Sequence, residues 1–381
     1  MAQPGQNFVY ICRNCRRNIS SSSWAKSARS FSTTRSRSKV IPSFNQTSNP
    51  EFDDLLLTWR QKVFMPAALE NHHRDLIYKA SRHGTLTKEP GVTVTMDDDE
   101  KIQLEPIHFY DKPNVHKSIL KLVKFLGRNH NDTDWDNLPP FLHGSVMAKI
   151  KLPSRFYQQI TRKACEVGKE RIILRCAEKP SETGVKLSRE GVARELMLGF
   201  HNRAALANFQ GGELEAASRR AEYVARMLED EEHGGGKLTI GEVDARKDPV
   251  VLAVLLELAA AKAVYAHGGQ DLEGKVANYA TKLLHLGRQS LHSHLERQKE
   301  VERTNLALAE LLPVQNAMKW ALKIESVKNA ELGKQLQAEL SGLTRVVEST
   351  VQSIREKAGD KSRRSLIMYD QLREQEQKTA S

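Results

Sequence analysis

The chain has 381 residues, 39% hydrophobic and 28% charged, which is enough apolar mass for one large domain or two ordinary ones. Four cysteines are too few for a disulfide scaffold of this length, so Cys165 and Cys176 read as free thiols in a reducing or redox-neutral compartment. The net charge of +11 is unevenly spread: Arg13, Arg16, Arg17, Lys26, Arg29, Arg35 and Arg37 lie in residues 1–38 without one Asp or Glu, and the remaining chain is only mildly basic.

Residues 1–38 are rich in Arg and Ser, the composition of a mitochondrial transit peptide rather than of a folded element. No apolar run of the needed length follows the basic residues, which excludes a secretory signal. Arg29-Ser30-Phe31-Ser32-Thr33-Thr34 resembles the matrix-protease cleavage pattern of fungal precursors and implies a cut near Phe31. A disordered basic tail that binds RNA is the alternative. Cys12-Arg13-Asn14-Cys15 has zinc-like spacing, but a structural zinc needs a second ligand pair and none lies nearby, so no metal site is expected.

Residues 39–50 read as a polar linker, and residues 51–147 as a mixed helix and hairpin region. Phe52–Ala80 reads as a helix with Leu55, Leu56, Trp59, Val63 and Phe64 on one side, kinked or split at Pro66. Val92, Val94 and Met96, then Ile102 and Leu104, alternate with polar residues, which predicts a small β-hairpin near 91–107. Its acidic tip, Asp97 to Glu100, lacks the calcium-loop spacing and reads as a solvated turn. Val115–Leu126 is a short amphipathic helix, and Asn129–Pro140 a polar loop around Trp135.

From Pro153 onward helical periodicity dominates. A helical-repeat-like core is expected over 148–327 and a coiled-coil-like extension over 328–381. Helices are predicted near Pro153–Ala177, Ser188–Phe209, Glu213–His233, Pro249–Ala266, Leu272–Glu300, Asn305–Glu325, Ala330–Lys357 and Ser362–Gln375. Val250–Ala266 is apolar except for Glu257 and Lys262, is opened by Asp248-Pro249, and is closed by His267-Gly268-Gly269. A helix apolar all round must be covered all round, and its two charges argue for a soluble core rather than a membrane span. Leu272, Val276, Tyr279, Leu283 and Leu286 mark a second helix packed beside it. Leu336, Leu340, Leu343, Val347, Thr350 and Ile354 form a heptad seam, either a coiled-coil arm or a last helix lying on the array. The fold class is mainly α: an irregular helical-repeat, α-solenoid-like array or a bundle, with one small hairpin and a long C-terminal helix.

No catalytic or cofactor signature emerges. Gly234-Gly235-Gly236-Lys237-Leu238 lacks the hydroxyl residue of a phosphate loop and follows an acidic helix. His285, His292 and His294 lack one-turn metal spacing, and His72-His73 are expected to point apart. Neither a catalytic residue nor a cofactor is therefore assigned.

The basic residues are more informative. Lys149–Lys179 holds nine Lys/Arg against three Glu, with Arg155, Arg162 and Lys169 seven apart and Lys163 beside them. Phe156, Ile160, Ala164 and Val167 form the opposite stripe. A basic face on a core-anchored helix suits phosphate-backbone contact, and Lys361, Arg363 and Arg364 form a smaller cluster of the same kind. Aromatics are interleaved with neither cluster, which favours structured RNA over base stacking.

Arg29–Thr34, Asp134–Pro140 with Phe156–Arg175, and Pro249–Leu286 together resemble a mitochondrial ribosomal protein. The likeness is to the fungal-type, pentatricopeptide-like helical component in the foot of the small subunit. The resemblance implies a matrix-located structural subunit that contacts small-subunit rRNA and neighbouring ribosomal proteins. It implies no enzyme activity and no membrane span. A non-ribosomal mitochondrial RNA-binding or translation factor, and a matrix enzyme-complex assembly factor, stand as alternatives.

Overall fold

The structure is a computed structural model that describes residues 40–88, 91–96, 100–234, 244–287, 301–358 and 363–380. The presequence, the Cys12/Cys15 pair, the acidic tip at Asp97–Asp99, Gly235–Lys237, His292, His294 and Lys361 lie outside the described residues. The chain is mainly helical and divides into two compact units, Met1–Leu152 with Ser181–Gly184, and Pro153–Pro180 with Val185–Ser381.

In the first unit, α1 (Pro50–Trp59) opens on Asn49, whose side chain accepts from the Glu51 amide, with Pro50 at the first helical position. The expected break at Pro66 takes the form of a π-helical turn, Arg60–Phe64, running into a last turn at Met65–Ala68. A widened turn accommodates a residue that cannot donate, so the axis continues through the proline. The helix stops at Leu69, short of the predicted Ala80, and α2 (Asn71–Tyr78) follows separately. Next come the predicted hairpin, β1 (Thr93–Thr95) antiparallel to β2 (Lys101–Gln103) in the register Val94↔Ile102, and α3 (Val115–Leu126). The span 129–140 is less of a loop than expected. It holds a helical turn at Asp132–Trp135 and starts α4 (Leu138–Met147), with prolines in the first turn.

Aromatic rings make this unit's centre. Trp59 meets Phe141 at 4.9 Å and Phe64 at 5.6 Å between centroids, and Phe52 stacks on Phe125. Residues 41–49 do not behave as a free linker. Ile41 is buried, and Asn45 and Asn137 exchange backbone and side-chain hydrogen bonds at 2.7 and 3.0 Å. The buried Asp134 carboxylate accepts from the Ser48 amide, the Ser48 hydroxyl and the Asn129 side chain. A buried carboxylate needs such donors, which explains why this polar segment is held down.

The second unit is built around one helix. The chain runs through α5 (Ser154–Glu166), α6 (Glu170–Ala177), α7 (Val192–Leu206), α8 (Gly211–Met227), α9 (Pro249–Ala266), α10 (Lys275–Gly287), α11 (Val301–Ala321), α12 (Glu331–Ala358) and α13 (Arg364–Ala380). α9 is the predicted apolar helix. Its Asp248 cap accepts from the Val250 amide at 2.9 Å. The Gly269 amide returns to the Ala263 carbonyl at 2.9 Å, a closure that needs the left-handed backbone of Gly268 and Gly269. α7, α8, α10 and α11 surround it. It is the one helix among the described residues long and apolar enough to cross a membrane, and two thirds of it (67%) is buried inside the protein.

α10 begins at Lys275 and buries Val276, Tyr279, Ala280 and Leu283, whereas Leu272 falls in the preceding turn and is exposed. The heptad seam of α12 is covered from within the chain. Leu336, Leu340, Leu343, Val347 and Ile354 are buried, and α12 packs along α11. α5 and α7 cross where Gly199 faces Cys165, and a Cβ at Gly199 would stand 2.5 Å from the Cys165 sulfur. Burial, with the nearby Glu170 and Glu195, pushes the Cys165 thiol well up.

Glu257, at the middle of α9, has no exposed surface. His201 Nδ1 on α7 lies 2.6 Å from its Oε2, and Asn316 Nδ2 on α11 donates to its Oε1 at 2.5 Å. Two further buried networks fasten the helices. Arg194 on α7 bridges Asp248 and Glu310. Burial acts to lower the Arg194 pKa, but the two carboxylates hold it above the ordinary value. Burial raises Glu310, against the pull of Arg194. Glu170, buried at the start of α6, receives Arg203 at 2.6 Å and Arg220 at 2.8 Å.

Two outcomes follow from this packing. His201→Ala strips one oxygen of a buried carboxylate and should cost about 3 kcal/mol. A double-mutant cycle with Glu257→Ala, followed by chemical denaturation, should show strong non-additivity. His233 is buried, its Nδ1 accepts from the Leu187 amide at 3.1 Å, and burial lowers its pKa below 6.5 although a hydrogen bond to the Ala177 backbone opposes this. The unfolded chain therefore binds this proton first, so stability is full above about pH 6.5 and falls as pH drops through the lowered folded value. Thermal melts from pH 7 to 5 should show that loss, and His233→Gln should flatten it.

Candidate nucleic-acid interface

α5 is amphipathic for a physical reason visible in its residues. Phe156, Tyr157, Ile160, Thr161 and Ala164 repeat at helical spacing and are buried, with α7 packed against the helix. The opposite side carries Arg155, exposed, and Arg162 and Lys163, half-exposed. Glu166 sits beneath the last two, 2.6 Å from Lys163 and 3.9 Å from Arg162, and offsets part of their charge.

Lys169 does not share that face. The helix ends at Glu166, Gly168 turns with φ +75°, and Lys169 becomes the N-terminal cap of α6. The seven-residue spacing assumed an unbroken helix through Ala177. The true boundary displaces Lys169 into a half-buried turn where it makes its own interactions. In exchange, α6 exposes Arg171 and Arg175, which the spacing argument passed over. The turn at Gly168 was the available signal for both.

Two acids of this stretch find partners outside it. Glu170 is directed inward to Arg203 and Arg220, and Glu178 accepts from the Tyr223 hydroxyl at 3.0 Å. Of the three Glu that temper the cluster, only Glu166 lies among the basic residues of α5. Glu170 is offset by two arginines from outside the stretch, whereas the exposed Glu178 still tempers the end of α6.

The C-terminal cluster is different in kind. The Arg364 guanidinium lies 3.1 Å from Glu195, which is buried on α7. Arg364 therefore pins the start of α13 to α7, with its guanidinium directed to Glu195. Arg363 is half-buried and engaged in interactions of its own. No spacing rule could pair Arg364 with a residue 169 positions away.

Two further features carry possible chemistry. A cleft of about 530 Å³ is lined by Asn208, Gln210, Lys319, Lys323, Gln375 and Glu376 among others. Lys319 there is paired with Glu376, and Lys323 lies 3.7 Å over the Trp320 ring, its pKa lowered by burial. Its lining is amides and lysines over apolar stems. Near α2, Glu70, His72 and His73 bring donor atoms within 4.8 Å of one another. The two imidazoles lie 3.7 Å apart rather than pointing apart, because they flank the first turn of the helix; burial lowers the His73 pKa.

Comparison with known proteins places this chain beside ribosomal proteins of mitochondria. A family model described as mitochondrial ribosomal protein mS27 matches residues 29–371. The small ribosomal subunit protein mS27 of Neurospora crassa is 30% identical over 251 residues, a match that covers 63% of this chain and 62% of the relative. The aligned part thus spans less than two thirds of that relative's length. The family match extends over both compact units, and on that breadth the chain belongs to the mitochondrial ribosomal protein mS27 family.

Proposed function

We propose that this protein is a structural component of the mitochondrial small ribosomal subunit, working in the matrix and supporting mitochondrial translation by scaffolding rather than catalysis. The observation that carries this reading is the mS27 family match across residues 29–371. The acid-free Arg/Ser segment at 1–38, read as a targeting sequence, supports the matrix location.

In this reading the helical body is rigid because α9 is enclosed and its one central carboxylate is satisfied. Rigidity lets a modest set of cations grip phosphate without reordering on contact. Arg155, Arg162 and Lys163 on α5, with Arg171 and Arg175 on α6, form the rRNA-facing surface. Among the described residues the helices differ widely in length, from four residues to twenty-eight, which supports backbone contact over a regular repeat code. Neighbouring ribosomal proteins cover part of the remaining surface.

The reading is tested by tagging the protein in its own mitochondria and sedimenting lysates through high salt. A structural subunit stays with the small subunit in stoichiometric amount; release to the top of the gradient would leave a transient RNA-binding or assembly factor. Arg155→Glu with Arg162→Glu should lower incorporation severalfold and leave thermal unfolding unchanged, because both side chains reach solvent. Arg364→Glu should do the reverse at first: it sets two carboxylates together at Glu195 and should cost about 3 kcal/mol in denaturation. Normal incorporation of the α5 double variant would remove α5 from the RNA surface.

A further inference from the structure

The first unit holds an aromatic surface that the basic-face reading does not use. The Ile77 carbonyl, near the end of α2, gathers two chain segments: the Ile107 amide donates to it at 2.9 Å, and His83 Nε2 lies 3.0 Å away. The His83 and His108 rings then meet edge to face at 5.3 Å. The His108 ring lies parallel to Tyr110, 5.2 Å between centroids and 3° between planes. Tyr110 is 80% exposed.

This ring is held in place although it is exposed. It sits in a single 3-10 turn, Phe109–Asp111, closed at both ends by His108 and Asp111. The Asp111 amide donates to the His108 carbonyl at 3.0 Å, and the Asp111 carboxylate accepts from the His108 amide at 3.1 Å. Beside it Lys112 Nζ lies 4.5 Å over the half-open ring of Tyr78. Arg82 and Lys79 are exposed on the same segment, and both approach Asp75.

We propose that the His108–Tyr110 stack is a platform for an unpaired nucleobase of single-stranded RNA, with Lys112 contacting the adjoining phosphate. The proposal rests on the ribosomal reading above and adds a second, chemically different contact to it. A parallel pair of rings whose outer member is open presents a flat π-face in register with a continuing stack, and every base has a π-face to meet it. The ring that backs Tyr110 is the His108 imidazole, and Lys112, two residues on, brings a cation to the same segment. A protein hot spot would instead set its aromatic within a ring of groups that exclude water. Preorganisation by the 3-10 turn means that little conformational entropy is lost on contact.

The full-length protein can be titrated with a short unstructured pyrimidine oligoribonucleotide and with an RNA hairpin duplex of equal length, each over a range of salt. Tyr110→Ala should weaken single-strand binding roughly tenfold and leave duplex binding and the salt slope unchanged. Tyr110→Phe, which keeps the ring, should bind as the parent does and also reports that the turn has folded. Unchanged single-strand affinity in Tyr110→Ala, or equal loss in the Phe variant, overturns the platform. So does normal RNA affinity combined with impaired subunit incorporation, which would make the turn a protein contact. Arg155→Glu with Arg162→Glu provides the other arm: it should weaken both RNAs and flatten the salt slope, so the two proposals fail by different signatures.

Discussion

A carboxylate with no exposure, in a helix with almost no other polar group, must find its partners inside the protein. Glu257 finds them on the two helices that flank α9, His201 from α7 and Asn316 from α11. Apolar burial brings those helices together but sets neither their rotation nor their axial offset, because hydrophobic attraction is non-directional. Each oxygen of Glu257 has one partner at hydrogen-bonding distance, and a slide of one residue along α9 would break both contacts. Polar networks of this kind act as registers: they add little net stability and penalise every alternative packing.

The same logic repeats outward from α9. Arg194 ties the Asp248 cap of α9 to Glu310 on α11, and Arg364 ties the start of α13 to Glu195 on α7. Glu170 ties α6 to Arg203 on α7 and Arg220 on α8. α7 contributes to all of these and to the contact with Glu257. It carries the alignment while α9 carries the apolar mass. Gly199 lets α7 and α5 come close enough for Cys165 to fill the gap.

What was legible in the chain follows from which interactions are local. α9 could be read to the residue because its start, its stop and its burial all have short-range signals: Asp248-Pro249, the glycine pair and an unbroken apolar run. The hairpin and the seam of α12 were legible for the same reason, since alternation and heptads are periodicities. Boundaries failed where one glycine overrides a periodic pattern, as at Gly168, which split a predicted helix and moved Lys169 off its face. The polar segment expected as a linker over residues 39–50 is held by Asp134 and Asn137, about ninety residues away, and contacts of that range leave no local signal. The His108–Tyr110 stack has no periodic signature, since its aromatics lie outside the basic clusters. The structure brings the aromatics together through the Ile77 carbonyl instead.

Charge in this chain thus divides by destination rather than by sequence position. Arg194, Arg203, Arg220 and Arg364 are used within the fold, each on a carboxylate that is itself largely removed from water. Each such pairing takes up an arginine charge together with an acid charge. Glu170 and Glu195 turn inward together with the arginines that pair with them, so these contacts leave the net charge of the exterior nearly as composition gives it; what they fix is position, with Arg155, Arg171 and Arg175 left exposed on α5 and α6. The buried acids fix the helices that carry the exposed cations, because each holds side chains from neighbouring helices in one register.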